Sequence, residues 1–255
     1  MRLDQELVNR GFFPTREKAK RAIIAGFVKV FRKSGKDKIV QMEKCKPGDN
    51  IKPDDVIEVI QNEKYVSRGG YKLEHAIEHF KIEVKGKIAL DIGASTGGFT
   101  DCLLQYGAAK VYAIDVGKGQ LAWKLRNDPR VVVMEDINAR YLNRGHFPPD
   151  FTFADIAVID CSFISLKLII PPLIDLLTQD GKIIALIKPQ FEAGKAEADK
   201  GKGIIEDPAV HKRVLEDFEN FIKNNLKLRC VGIVESPIKG QSGNTEFLAY
   251  IEKTS

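Results

Sequence analysis

Between residues 88 and 251 short apolar runs alternate with helical patterns, and this alternation most narrows the folds open to the chain. Strands are expected at Ile88–Ile92, Val111–Asp115, Val131–Met134, Ile156–Asp160, Ile183–Ile187, Leu228–Glu235 and Phe247–Ile251. A helical pattern from Gly70 to Phe80 precedes them, with Leu73, Ala76, Ile77 and Phe80 on one side. The clearest later helix spans Pro208 to Asn224. Asp207 caps it, and Pro208 takes the first helical position, where a missing N–H costs nothing. Such alternation builds a mostly parallel, doubly wound sheet, here an α/β Rossmann-like domain of seven strands.

The first quarter follows a different pattern. Leu3, Leu7 and Val8 share one helical face, and Ala19, Ala22, Ile23 and Ile24 share another. Thr15 is placed to cap the second helix, and Gly26 to end it before Phe27-Val28-Lys29-Val30. Turns at Pro47-Gly48-Asp49 and Pro53-Asp54-Asp55 lead to a closing strand, Val56–Ile60. The expected organisation is a small α+β domain over 1–60, a polar linker over 61–68 and a larger domain over 69–255.

Charge separates the two parts. Residues 1–64 hold 15 Lys and Arg against 10 Asp and Glu, whereas residues 65–255 hold 25 of each. A basic head on a neutral body is expected to meet a polyanion. Arg16, Lys20 and Arg21 lie largely on one side of the second helix and, with Arg2 and Arg68, are the candidate phosphate contacts. The order Arg2-Leu3-Asp4, Gly11, Thr15-Arg16-Glu17-Lys18-Ala19 and Ile24-x-Gly26-x-Val28-x-Val30 resembles the RNA-binding domain named after small-ribosomal-subunit protein four.

Other classes are disfavoured. Apolar runs such as Ile183–Ile187 are far too short to cross a bilayer, and the first residues mix charges instead of forming a signal core. A cytoplasmic protein with no membrane partner and no obligate protein partner is expected. Cys45, Cys102, Cys161 and Cys230 form no Cys-x-x-Cys pair, so neither a metal site nor a disulfide framework is expected.

The first strand of the larger domain runs into Asp91-Ile92-Gly93-Ala94-Ser95-Thr96-Gly97-Gly98-Phe99-Thr100. Glycines between a first strand and its helix let a ligand approach the backbone. No Gly-Lys-Ser/Thr follows, so the turn is no P-loop, and Ser95 breaks the dinucleotide pattern. Asp115, with Val116 after it, ends the second strand and can accept from both ribose hydroxyls. Asp136, after the third, can accept from an adenine amino group while Ile137 packs on the ring. Contacts at three successive strand ends suit adenosine with an amino-acid tail, and so S-adenosylmethionine. Residues 65–255 resemble the FtsJ-type 2'-O-methyltransferases, and the whole chain resembles the TlyA, or haemolysin A, family. That resemblance implies methylation of cytidine ribose in ribosomal RNA of the large subunit, with the small subunit as a second target. It also implies cofactor contacts at Gly97, Phe99, Asp115, Asp136 and Asp160.

Asp160 ends the fourth strand, and Lys188 follows the fifth, held extended by Pro189. Glu246 begins a last, antiparallel strand whose start lies at the same edge of the sheet, and Lys72 can reach over that edge. Lys72, Asp160, Lys188 and Glu246 resemble the catalytic set of 2'-O-methyltransferases. Lys188 is expected either to take the 2'-hydroxyl proton or to stabilise the developing oxyanion. Three alternatives compete: methylation of a cytosine carbon through Cys161, a non-catalytic RNA-binding or ribosome-assembly factor, and a membrane-active haemolysin. Tyr65, beside Arg68, also suggests a relay between RNA docking and the cofactor, although a packing tyrosine at a domain boundary is the simpler explanation.

Overall fold

Leu3, Leu7, Ala19, Ala22 and Ile23 close on Val28, Val30, Ile51 and Ile57 because each helix carries its apolar residues on one face. They form the core of the first of two compact units, Met1–Arg68; the second is Gly69–Ser255. The computed structural model describes residues 1–33, 39–42, 45–59, 64–194, 197, 201, 203–240 and 243–253. In the first unit, helices α1 (Leu3–Asn9) and α2 (Arg16–Ile24) accompany an antiparallel sheet of order β2-β1-β3. Its strands are β1 (Val28–Lys33), β2 (Ile39–Gln41) and β3 (Val56–Val59). Thr15 Oγ1 accepts the Lys18 N–H at 3.3 Å and caps α2. Gly26, at φ +79°, ends that helix in the left-handed conformation. Ile60 and linker residues 61–63 lie outside the described residues, and Lys64–Arg68 belong to the first unit.

The second unit opens with α3 (Gly69–Phe80) and builds a seven-stranded sheet of order β6-β5-β4-β7-β8-β10-β9. Strands β4 (Ile88–Ile92), β5 (Lys110–Ile114), β6 (Val131–Met134), β7 (Ala154–Ile159) and β8 (Leu177–Ile187) run parallel. Strand β10 (Phe247–Glu252) is antiparallel to β8 and to β9 (Arg229–Glu235), between which it sits. Helices α4 (Gly98–Gln105), α5 (Trp123–Arg126), α6 (Leu166–Ile174), α7 (Pro189–Glu192) and α8 (Pro208–Asn220) fill the connections. The chain winds one way from β4 to β5 and the other way from β4 to β7. That reversal leaves a crevice beyond the carboxyl ends of β4 and its neighbours.

Several boundaries differ from the sequence reading. Asp115 and Asp160 lie one residue beyond their strands, Leu228 lies before β9, and Glu246 lies before β10. Strand β8 begins six residues earlier than expected and runs through Asp180-Gly181, a pair that reads as a turn. The pairing with β7 jumps there, from Ala154↔Leu177 to Ile156↔Lys182, so the extra residues are absorbed as a bulge. Helix α8 stops at Asn220 and continues as a π-helical turn, Phe221–Asn225. Among the described residues no helix is long and apolar enough to cross a membrane.

Candidate active site

The turn after β4 can form only because two of its glycines stand where side chains do not fit. A Cβ on Gly93 (φ +82°) would lie 2.7 Å from the Asp160 carbonyl oxygen. One on Gly97 (φ +95°) would lie 2.3 Å from a Leu125 methyl. Gly98 and Phe99 are buried at the start of α4, so the turn is anchored from below. Ser95 also takes a positive φ, +47°, which turns its N–H onto Asp115 Oδ2 at 2.8 Å. The Gly117 N–H reaches Asp115 Oδ1 at 2.7 Å, and Ser95 Oγ donates to Gln120 Oε1 at 3.2 Å. Asp115 is thereby fixed across the turn from the glycines. Val116 beside it is 70% exposed. Asp136 (φ +59°) is ion-paired with Lys118, and Ile137 is half-buried next to it.

Asp91 is fully buried beneath this turn. Thr100 Oγ1 donates to its Oδ2 at 2.6 Å, while Oδ1 has no hydrogen-bond partner among the described residues. Burial pushes its pKa up to about 7 against that hydrogen bond, and the charges of Asp160 and Asp115 add to the rise.

The four residues expected to form the catalytic set meet as two ion pairs. Lys188 Nζ lies 2.6 Å from Asp160 Oδ1, and Lys72 Nζ lies 2.5 Å from Glu246 Oε2. Lys72, Lys188 and Glu246 are buried, whereas the Asp160 side chain is 24% exposed. Burial opposes ionisation of Asp160, but the ammonium groups of Lys188 and Lys72 outweigh it and hold its carboxyl below the usual range. Two cations facing two anions make a site of no net charge, able to receive a neutral hydroxyl beside a positively charged donor.

Sequence reasoning missed the side chains that support this set. Lys188 Nζ donates to Ser162 Oγ at 3.0 Å. Gly240 stands against Glu246, because a Cβ there would lie 2.4 Å from Oε1. Asn244 accepts the Ile205 N–H and donates to the Gly203 carbonyl, both at 2.8 Å, and so ties two loops together. Phe163 takes φ +65° and is 90% exposed, with its ring 5.1 Å from that of Phe191. Only proximity to Asp160 in the sequence hinted at Ser162 and Phe163. The Cys161 thiol is pushed up to about 12 by burial, with the Asp160 charge adding to it. It lies 3.6 Å from the Ile92 carbonyl oxygen as a neutral group, unlike a thiolate nucleophile.

In the first unit, Arg2 and Arg16 reach buried Asp4 at 3.1 and 3.0 Å. The Arg2 hydrogen bond, assisted by Arg16, overcomes burial and holds the Asp4 pKa at about 2. Both arginines remain about half exposed, so each combines a structural role with a face open to solvent. Lys20 is half-buried, Arg21 is exposed 3.7 Å from Glu17, and Arg68 packs its guanidinium against Gly26. Tyr65 is buried.

The FtsJ-like methyltransferase model matches residues 65–253. YqxC of Bacillus subtilis is 51% identical over 253 residues, covering 98% of this chain and 85% of that one. The 16S/23S rRNA (cytidine-2'-O)-methyltransferase TlyA of Mycobacterium tuberculosis is 41% identical over 252 residues, covering 98% and 89%. A solved structure described as a hemolysin from Streptococcus thermophilus superimposes with a TM-score of 0.75 at 44% identity, covering 100% of this chain and 89% of that one. The chain belongs to the FtsJ-like methyltransferase family and is an S-adenosylmethionine-dependent methyltransferase.

Proposed function

We propose that this protein methylates the ribose 2'-hydroxyl of a cytidine in ribosomal RNA of the large subunit, with the small subunit as a second candidate substrate. It would act in the cytoplasm, on ribosomal subunits or their RNA. The juxtaposed Lys188–Asp160 and Lys72–Glu246 pairs carry this reading. S-adenosylmethionine supplies an already activated methyl group, so the protein's tasks are in-line placement and removal of one proton. Asp115, Asp136, Ile137 and Val116 would hold the adenosine, and Asp91, the turn from Gly93 to Phe99 and Asp160 the amino-acid end. Asp160 directs Lys188 Nζ at the 2'-oxygen, where the neutral amine, having shed its own proton to water, takes the hydroxyl proton, or the ammonium stabilises the oxyanion as that proton leaves to water. Glu246 keeps Lys72 at the edge of the site to neutralise charge on the same oxygen or on a neighbouring phosphate. The exposed faces of Arg2, Arg16, Lys20, Arg21 and Arg68 would contact RNA phosphates, and Phe163 offers a ring on which a base can stack.

The test is transfer of labelled methyl from S-adenosylmethionine to unmodified ribosomal subunits by wild type and Lys188→Ala. Label at a ribose 2'-oxygen that disappears in the variant is expected. Label on a cytosine carbon, or none despite measurable cofactor binding, would overturn the assignment.

A further inference from the structure

Lys188 is held more tightly than an ion pair alone requires. A lysine ammonium on one carboxylate still swings on a four-carbon stem, because a single acceptor fixes a distance and not a direction. Here Nζ has two acceptors, Asp160 Oδ1 at 2.6 Å and Ser162 Oγ at 3.0 Å. Both come from the turn after β7, two residues apart, while Lys188 comes from the end of the neighbouring parallel strand β8. The next residue, Phe163, takes φ +65°, so the backbone at this turn is held in a conformation that non-glycine residues rarely adopt. Ser162 does not serve as a helix cap; that role belongs to Ser165, whose Oγ accepts the Lys167 N–H at the start of α6. Ser162 is exposed while Lys188 is buried, which places the hydroxyl at the mouth of the site.

We infer that Ser162 is a positioning residue: with Asp160 it forms a two-point clamp that fixes the direction of the Lys188 amine. Two of the three tetrahedral directions on Nζ are then spoken for, and the third faces the reacting oxygen. The inference rests on the proposed role of Lys188. A clamp of this kind acts on the rate constant more than on binding, because a misdirected amine leaves the affinities for cofactor and RNA intact.

Two measurements test it. In the first, kcat and KM for methyl transfer are determined for wild type, Ser162→Ala, Ser162→Thr and Ser162→Val, with Lys188→Ala alongside. Alanine and valine are expected to lower kcat about tenfold with KM for both substrates within about twofold, whereas threonine, which keeps the hydroxyl, recovers most of the rate. Wild-type kcat in the alanine and valine variants, or threonine as slow as valine, overturns the inference. Activity in Lys188→Ala equal to wild type would instead defeat the reading of Lys188. The second measurement needs no turnover: the ε-methylene NMR signal of Lys188 in lysine-labelled protein, assigned by its loss in Lys188→Ala. Two distinct, ordered ε-protons in wild type that average together in Ser162→Ala support the clamp. Identical signals in both proteins overturn it.

Discussion

A carboxyl group buried beneath the turn after β4 makes the stability of the ligand-free protein depend on pH. Asp91 keeps its proton up to about pH 7 when folded, but an exposed aspartate in the unfolded chain releases its proton near pH 4. Between those values the folded state binds the extra proton, so this residue's contribution to stability falls as pH rises. Asp91→Asn is expected to flatten that decline and to raise ligand-free stability at pH 7.5 by about 1–3 kcal/mol, read from urea denaturation at several pH values. A decline of equal steepness in both proteins would refute the assignment. Asp4 works with the opposite sign, its contribution disappearing as pH falls from about 4 towards 2. Neither effect was legible in the sequence, because burial and the Thr100 and Arg2 partners exist only after folding. By contrast, Asp160, Lys188 and Glu246 could be picked out by type and by place at strand ends, and Lys72 by its place before the sheet. Ser162 could not, since its hydrogen bond depends on the path of a turn.

At the scale of elements, the alternation of strand and helix was readable because each strand is short, apolar and bounded by turn residues. Where a strand contains turn residues itself, as β8 does at Asp180-Gly181, the sequence misleads and only the pairing with β7 settles the boundary. The connection from β9 to β10 was likewise illegible. Its residue Gly240 matters through its closeness to Glu246, six positions on, which no local pattern reveals. Gly240 has no positive φ to satisfy, so its substitution tests that closeness alone. Gly240→Ala pushes a methyl into the Glu246 carboxylate, which Lys72 pins from the other side. Methyl transfer is expected to fall at least about tenfold while the melting temperature drops by only a few degrees. Unchanged activity would mean that Glu246 can move without consequence.

For the whole molecule, a difference between the two units was visible in the distribution of charge, since all the positive excess lies in residues 1–64. What charge alone could not show is that Arg2 and Arg16 also hold Asp4, so replacing them perturbs the first unit as well as any RNA binding. Lys20 and Arg21 make the cleaner test. The double variant Lys20→Glu, Arg21→Glu is expected to weaken binding to ribosomal subunits about tenfold or more at moderate salt. It should also make the dependence of log affinity on log salt shallower by about 1 for each phosphate that is no longer neutralised. S-adenosylmethionine affinity, measured by calorimetry, should be unchanged; an RNA affinity equal to wild type would locate the phosphate-binding cations elsewhere. Strand order adds a constraint of another kind, on how the protein is born. A ribosome releases β10 after every other strand of its sheet, yet β10 belongs between β8 and β9 instead of at an edge. A nascent chain therefore carries an open seam in its sheet, and Lys72 waits for Glu246, made 174 positions later. The basic first unit can fold early in synthesis, but the Lys72–Glu246 pair forms only when that seam closes.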